Sequence, residues 1–300
     1  MRILCILVLL CAVPALAGTT VTYPEVTPSW THIIDHCWQF DEDYTDSCTG
    51  ASPRVNLNAV GSPSFGGVFI PHTEGKGSML LDLTEAAEAS STTELAAPAG
   101  NLLTFWCSIN LTSTFTAGAG IIGKITNAVA GYELQMGQLL GEVSILDFHG
   151  YKPNGAQMRG TIVDAFTLEP SYWNFVWWRA VGAASDNICR VGRYVASPPA
   201  IQSASCTGAT TLVDASAEKF TIGRWPGINQ NAQGYFDECG WEAANLDDLA
   251  MCRICSCGVH GQKCRCSGST YLSEGYNDVI CANCTLPACN LATPGTLAGG

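Results

Sequence analysis

Charge is scarce in this chain. Lys, Arg, Asp and Glu make up 13 % of its 300 residues, and the balance is acidic, at −12. No stripe of Lys and Arg occurs anywhere, which disfavours nucleic acid and anionic membrane surfaces as partners. Long apolar runs are missing as well. Beyond the first residues no stretch approaches the ~18 uninterrupted apolar residues of a membrane-spanning helix. The strings of common chemistries are absent: there is no G-x-S-x-G, no H-E-x-x-H and no phosphate-cradling glycine loop. Helical periodicity is scarce too. These gaps lead to the expectation of a chain that is not an enzyme and does not insert into a membrane.

Cysteine, by contrast, is plentiful, with 16 residues. Their meaning depends on the compartment. The chain opens with Arg2, a short apolar run from Ile3 to Val13, Pro14, and then Ala15-Leu16-Ala17. That pattern predicts a signal peptide over 1–17, cleaved after Ala17, and an extracellular or cell-surface protein. Cleavage removes Cys5 and Cys11 and leaves fourteen cysteines, an even set that reads as disulfides outside the cell. The stretch "RICSCGVHGQKCRC" at 253–266 and the "CANC" at 281–284 also have zinc-ligand spacing, but His260 stands there alone. Compartment and parity therefore favour sulfur–sulfur bonds. Eight cysteines belong to this tail: Cys252, Cys255, Cys257, Cys264, Cys266, Cys281, Cys284 and Cys289. Their connectivity is open.

Alternation dominates the rest. "HIIDHCWQF" places Ile34, His36, Trp38 and Phe40 on one face, and "LLTFWCSIN" does the same with Leu103, Phe105, Cys107 and Ile109. "YELQMGQLL", "EVSILDFHG", "WNFVWWRAV", "NICRVGRYV" and "GYFDECGWE" repeat the pattern between Gly, Pro, Asn and Ser clusters. Many short strands with turn signals predict an all-β sandwich or barrel. One short helix is expected at "LDDLAMCRI", capped by Asn245. Composition divides the chain into a Thr/Pro-rich leader at 18–31, a β body at 32–251, a cysteine-rich extension at 252–290 and a flexible end at 291–300. Asn110-Leu111-Thr112 and Asn283-Cys284-Thr285 are candidate N-glycosylation sites.

Several of these stretches, taken in order, resemble the laminin-G-like, concanavalin-A-like jelly rolls. "CWQFDEDYTDSCTG" is similar to their opening strand and turn, and "NLLTFWCSIN" to a second strand. "AGYELQMG" and "WNFVWWRAV" follow. "FTIGRWPGINQNAQGYFDECGWEAANLDDLAMCRI" resembles their closing segment. The resemblance implies a two-sheet antiparallel jelly-roll sandwich, here carrying a small disulfide-rich extension. The fold hosts lectins, adhesive modules and a few glycosidases, so it leaves function open. The glycosidases carry E-x-D-x-x-E on one strand, which this chain lacks. Glu142 and Asp147 are five residues apart and so fall on opposite strand faces. Among the six body cysteines, the expected pairs are Cys37–Cys48 across the first turn and Cys189–Cys206 around the hairpin at "SPP". That leaves Cys107–Cys239, between strands that are neighbours in the resembling fold.

Three candidate features remain. Trp225, flanked by Arg224, Asn229 and Asn231 in "RWPGINQN", is a candidate glycan-binding loop. Trp173, Phe175 and Trp177 alternate with Trp178 and read as packing. Asp41, Glu42 and Asp46 of "FDEDYTD", with Asp237 and Glu238 of "FDE", are candidate ligands for a structural calcium; a solvated turn is the competing reading. No other cofactor is expected. The expected partners are extracellular proteins, glycans or further copies of the chain. Two roles compete: an adhesive or structural subunit, in which the leader "TTVTYPEV" adds as a strand to a neighbour's sheet edge, and a lectin.

Overall fold

The computed structural model describes residues 34–48, 50, 53–66, 77–98, 102–111, 118–126, 129–139, 142–151, 157–162, 173–181, 188–196, 199–205, 212–225, 230–247, 250–251, 254–255, 264–267 and 270–273. The expected signal segment and leader, and most of the cysteine-rich extension, lie outside these residues.

The chain is all-β. Its first part supplies the short strands β1 (His36–Trp38), β2 (Leu57–Val60), β3 (Ser64–Phe65), β4 (Met79–Leu81) and β5 (Ala86–Ala89). The middle supplies the long ones: β6 (Thr104–Leu111), β7 (Ala119–Thr126), β8 (Ala130–Leu139), β9 (Glu142–Tyr151), β10 (Gln157–Ile162), β11 (Asn174–Val181), β12 (Ile188–Ala196) and β13 (Pro199–Ser205). Then come β14 (Thr221–Ile222), β15 (Arg224–Trp225), β16 (Gln230–Asn231) and β17 (Gly234–Glu242), followed by the hairpin β18 (Cys264–Ser267) and β19 (Thr270–Ser273). One sheet has eight strands in the order β13-β12-β11-β6-β17-β4-β3, with β1 added against β17. The other has nine, with the path β10-β9-β8-β7-β14-β5-β2 and the short β15 and β16 beside β7. Sheet neighbours distant in sequence, such as β6 beside β17 and β7 beside β14, give the two-sheet antiparallel jelly-roll sandwich.

The main core lies between the sheets. Phe105, Cys107 and Ile109 of β6 and Val176 and Trp178 of β11 face Tyr132, Leu134 and Met136 of β8 and Leu146 and Phe148 of β9. The strict period of two in each strand puts these residues on one face. Polar tips inside this layer are paired. Trp241 donates its indole N–H to the Tyr132 hydroxyl at 2.8 Å, and Tyr132 donates to the Leu95 carbonyl at 2.6 Å, which ties the two sheets together. Burial holds the Tyr132 phenol well above its usual pKa.

A second layer covers the outside of the eight-stranded sheet. Trp106, Trp173, Phe175 and Trp177 pack there with Ile34, Leu246, Met251 and Ile254. β6 is therefore buried on both faces, and the Trp173–Trp177 stripe is packing. Ile34 joins this outer layer while Trp38 and Phe40 point into the main core, because the first strand spans only three residues and Phe40 turns through a φ of 51°. The helical residues 250–251 and 254–255 follow a cap supplied by Asp247, not Asn245. The Asp247 carboxylate accepts from the Ala250 N–H at 2.7 Å, the geometry that satisfies an orphan donor of a first helical turn.

Two disulfides join described cysteines, Cys37–Cys48 and Cys107–Cys239; the second links β6 to β17. Cys255 is also disulfide-bonded. β12 and β13 form the hairpin around 197–198, with Arg190 opposite Ser205, but Cys206 lies outside the described residues, as do Cys252, Cys257, Cys281, Cys284 and Cys289. Cys264 and Cys266 stand on β18.

Candidate functional site

The apolar members of β8, β9 and β10 enter the core, so alternation sends the polar members to the outer face of the nine-stranded sheet. Register aligns them across strands. Glu133 stands opposite His149, and His149 opposite Arg159; one step along, Gln135 stands opposite Asp147, and Asp147 opposite Thr161. On the other side Glu133 faces Gly123, Gly123 faces Thr221, and Thr221 faces Glu88. A polar row thus crosses six strands.

Asp147 organises one end. Its carboxylate accepts from the Arg159 guanidinium at 2.6 to 3.1 Å, from the Thr161 hydroxyl at 2.8 Å and from His149 Nε2 at 2.9 Å. Burial acts to raise the Asp147 pKa, but the bonds from His149, Arg159 and Thr161 outweigh it and hold the carboxyl below its usual range. With His149 Nε2–H donating to Asp147, Nδ1 is left to accept from the Gln135 side-chain amide at 3.1 Å. The Trp225 ring stands edge-on to His149, with centroids 6.1 Å apart. Arg159 is half-exposed, so this end of the row reaches solvent.

The middle of the row is sealed. Glu133 is fully buried, and burial pushes its carboxyl well above the usual range. Above it lies β15, and the space comes from Gly120. A Cβ there would collide with Glu133 Oε1 and with the Arg224 carbonyl carbon and oxygen. The same Arg224 carbonyl accepts from the Thr221 hydroxyl at 2.8 Å, which pins β15 to the sheet. At the far end a cleft of about 260 Å³ opens among Glu88, Thr92, Lys219, Thr221 and Arg224, with Lys219 and Glu88 paired at 2.6 Å.

Of the glycan candidates, Arg224 and Trp225 lie on this face and are partly exposed. Asn231 is buried beside Gly120, where its amide donates to the Glu85 carbonyl at 3.1 Å, so it is not a surface contact. Asn229 lies outside the described residues. The calcium candidates are not assembled into a site. Asp46 is fully buried, and both its oxygens are engaged. Oδ1 accepts the Cys37 and Cys48 backbone N–H groups, each at 3.1 Å, and Oδ2 accepts His36 Nδ1–H at 2.6 Å and the Val55 N–H at 3.0 Å. It is the capping acid of the first turn. Asp237 accepts the Glu238 N–H at 2.7 Å at a β-bulge where Glu238 has a φ of 49°, while Asp41 and Glu42 stay in the exposed bend at 41–43. Among the described residues no group of three or more His, Cys, Asp and Glu side chains is placed to hold a metal. Asn110 is fully buried in β6, so folding removes it as an attachment point for a glycan; Asn283 lies outside the described residues.

Among the residues that build the row, the sequence marks only Asp147, as a carboxylate on the opposite strand face from Glu142; it does not mark Glu133, Gln135, His149 or Arg159. Their signal was present. In "YELQM" and "ILDFHG" the polar letters sit at the alternate positions of strands whose apolar letters were read as core. Register, which sequence does not give, makes them one site.

No protein-family model matches the sequence, and no curated protein matches it. Several solved structures are similar in shape. Domain 4 of AbnA, an extracellular arabinanase from Geobacillus stearothermophilus solved with arabinotriose, aligns at a TM-score of 0.47 and 11 % identity, covering 74 % of this chain and 96 % of that one. The binding domain of Paraclostridial Mosquitocidal Protein 1 aligns at 0.48 and 10 %, covering 73 % and 50 %. The enzymatically active domain of tailspike protein 2 from bacteriophage CBA120 aligns at 0.49 and 9 %, covering 67 % and 30 %. Similarity at this level does not specify a function.

Proposed function

We propose that the chain is a secreted, non-enzymatic binding module, a lectin-like sandwich that contacts carbohydrate through the outer face of its nine-stranded sheet. The observation that carries this reading is the open end of the polar row, where Asp147 fixes the half-exposed Arg159 guanidinium and the partly exposed Trp225 ring stands edge-on to His149. Sugar hydroxyls need donors and acceptors held in place beside an aromatic surface. The two disulfides fit an oxidising extracellular compartment. Carboxylate chemistry is disfavoured because Glu133 is sealed from solvent and Asp147 is occupied by three partners, whereas glycoside cleavage needs two carboxyls facing the substrate.

A glycan array probed with the whole secreted chain and with Trp225→Ala tests the reading. Retention of a defined set of glycans, lost in the variant, is expected; absence of binding to any glycan refutes it. The adhesive role belongs to the same proposal. Strand addition by residues 18–31 would let the module bind a second copy or another extracellular protein. Filaments that disappear when 18–31 is deleted would support that role, and a strictly monomeric full chain would exclude it.

A further inference from the structure

Four oxygens on the sealed part of the polar row have no hydrogen-bond partner: Glu133 Oε1 and Oε2, Gln135 Oε1 and Asn231 Oδ1. All three side chains are at least nine-tenths buried, with Glu133 at 0 % exposure and Gln135 and Asn231 at 5 % each. The sheet register gathers them around one residue. Gly120 stands opposite Gln135 on one side and opposite Asn231 on the other. Glu133 Oε1 and the Arg224 carbonyl oxygen both crowd the point that a Gly120 Cβ would occupy. Ala232 packs in the main core, so alternation turns Asn231 toward the outer side, where β15 lies.

The amide orientations are fixed from behind. Gln135 spends its NH2 group on the His149 ring at 3.0 to 3.1 Å, and Asn231 spends its own on the Glu85 carbonyl at 3.1 Å. Flipping Asn231 to donate to Glu133 would set its oxygen against the Glu85 carbonyl, and flipping Gln135 would break its bond as long as His149 Nδ1 carries no proton. The result is four acceptors gathered by register on one face of the sheet, none of which receives a hydrogen bond. An unpaired buried acceptor destabilises the fold, and more so when it carries charge. A proton on Glu133 relieves one oxygen and leaves the two amide oxygens as they were. A cation relieves all four.

We propose that the space beside Gly120, under β15, is a seat for a hard cation of the calcium class. Glu133 supplies both carboxylate oxygens, Gln135 and Asn231 their amide oxygens, and Arg224 its carbonyl oxygen. Carboxylate, amide and carbonyl oxygens are the donors such ions take, and water completes a shell of about six to eight ligands. A single carboxylate places the site in the weak class suited to extracellular calcium, with Kd on the order of 10⁻⁴–10⁻³ M. None of the calcium candidates read from the sequence is used. The seat also stands independently of the glycan reading, because it involves the sealed part of the row and is read out without any sugar.

The test uses the full secreted chain, dialysed against chelator. Terbium, a luminescent stand-in for calcium, is titrated with excitation of tryptophan, since Trp225 adjoins the seat through Arg224 and His149. The expected result is saturable emission that excess calcium displaces, together with a calcium-dependent rise in Tm. Glu133→Gln keeps the size and the neutral form of the side chain, and it should weaken terbium binding by about a hundredfold and remove the Tm response. Asn231→Asp adds a second carboxylate and should tighten binding by about tenfold, an outcome that stands even if the first variant fails to fold. Wild type whose Tm ignores both calcium and chelator overturns the proposal, as does terbium emission unchanged by both substitutions.

Discussion

At the scale of single residues, two carboxylates with opposite surroundings set the behaviour of the molecule. Asp46 holds the first turn together by accepting three backbone N–H groups and the His36 ring. Asp46→Ala leaves those buried donors unpaired and should lower the unfolding free energy by about 3 kcal/mol or more, measurable as a drop in the urea midpoint. Glu133 acts the other way. In the chelated chain its folded pKa lies above the unfolded value, so the folded state binds the extra proton. Its contribution to stability is therefore full below the ordinary carboxylate pKa and is lost as pH rises toward the folded one. The groups packed around it, His149, Arg224 and the more distant Asp147, are common to wild type and Glu133→Gln. Urea midpoints between about pH 4 and about pH 8 should fall with pH in wild type and stay flatter in the variant. Equal slopes would show that Glu133 is not sealed. Asp147 carries the reverse sign: its folded pKa is depressed, so its contribution is lost only as pH falls through that lowered value.

At the scale of elements, glycine and cysteine fix how strands approach one another. β15 rests on Gly120, and Gly240 of β17 leaves room for the Trp106 ring. Gly120→Ala pushes a methyl group into Glu133 and the Arg224 carbonyl. It should lift β15, shift Trp225 fluorescence toward the red and leave the distant core intact, as read by unchanged far-UV circular dichroism. Unchanged fluorescence would mean that β15 does not lie on the sheet as described. Cys107–Cys239 closes a sequence separation of 132 and Cys37–Cys48 one of 11. By the loop-entropy relation, replacing the first pair with serine should cost about 4–5 kcal/mol and the second about 3 kcal/mol. A larger loss for the short loop would show that the Asp46 turn, not chain entropy, dominates. These elements were legible in the sequence where period two was strong: "LLTFWCSIN" and "WNFVWWRAV" are β6 and β11 with the predicted inward residues. The helix cap was misplaced by two residues because Asn245 and Asp247 are both competent caps, and only the fold selects which N–H groups need one.

At the scale of the whole molecule, two sheets bury one core between them and present two unlike outer faces. The face of the eight-stranded sheet is covered by a tryptophan layer and by the residues following Glu242. The face of the nine-stranded sheet is polar, sealed at Glu133 and open at Arg159 and Trp225. The all-β class was legible in local alternation, whereas the jelly-roll topology and the Cys107–Cys239 link between β6 and β17, 132 residues apart, were implied only by the resemblance. The polar row was hidden because only the register of β8, β9 and β10 decides which of its members face one another, and each letter alone looks like ordinary surface. The measurement that bears most directly on the whole account is equilibrium binding of the intact chain to an immobilised glycan panel, with Trp225→Ala and Arg159→Ala as controls. The account predicts a selective set of bound glycans, with both variants folded and weakened by about tenfold or more. Glycans bound equally well by all three proteins, or cleaved during incubation, would contradict it.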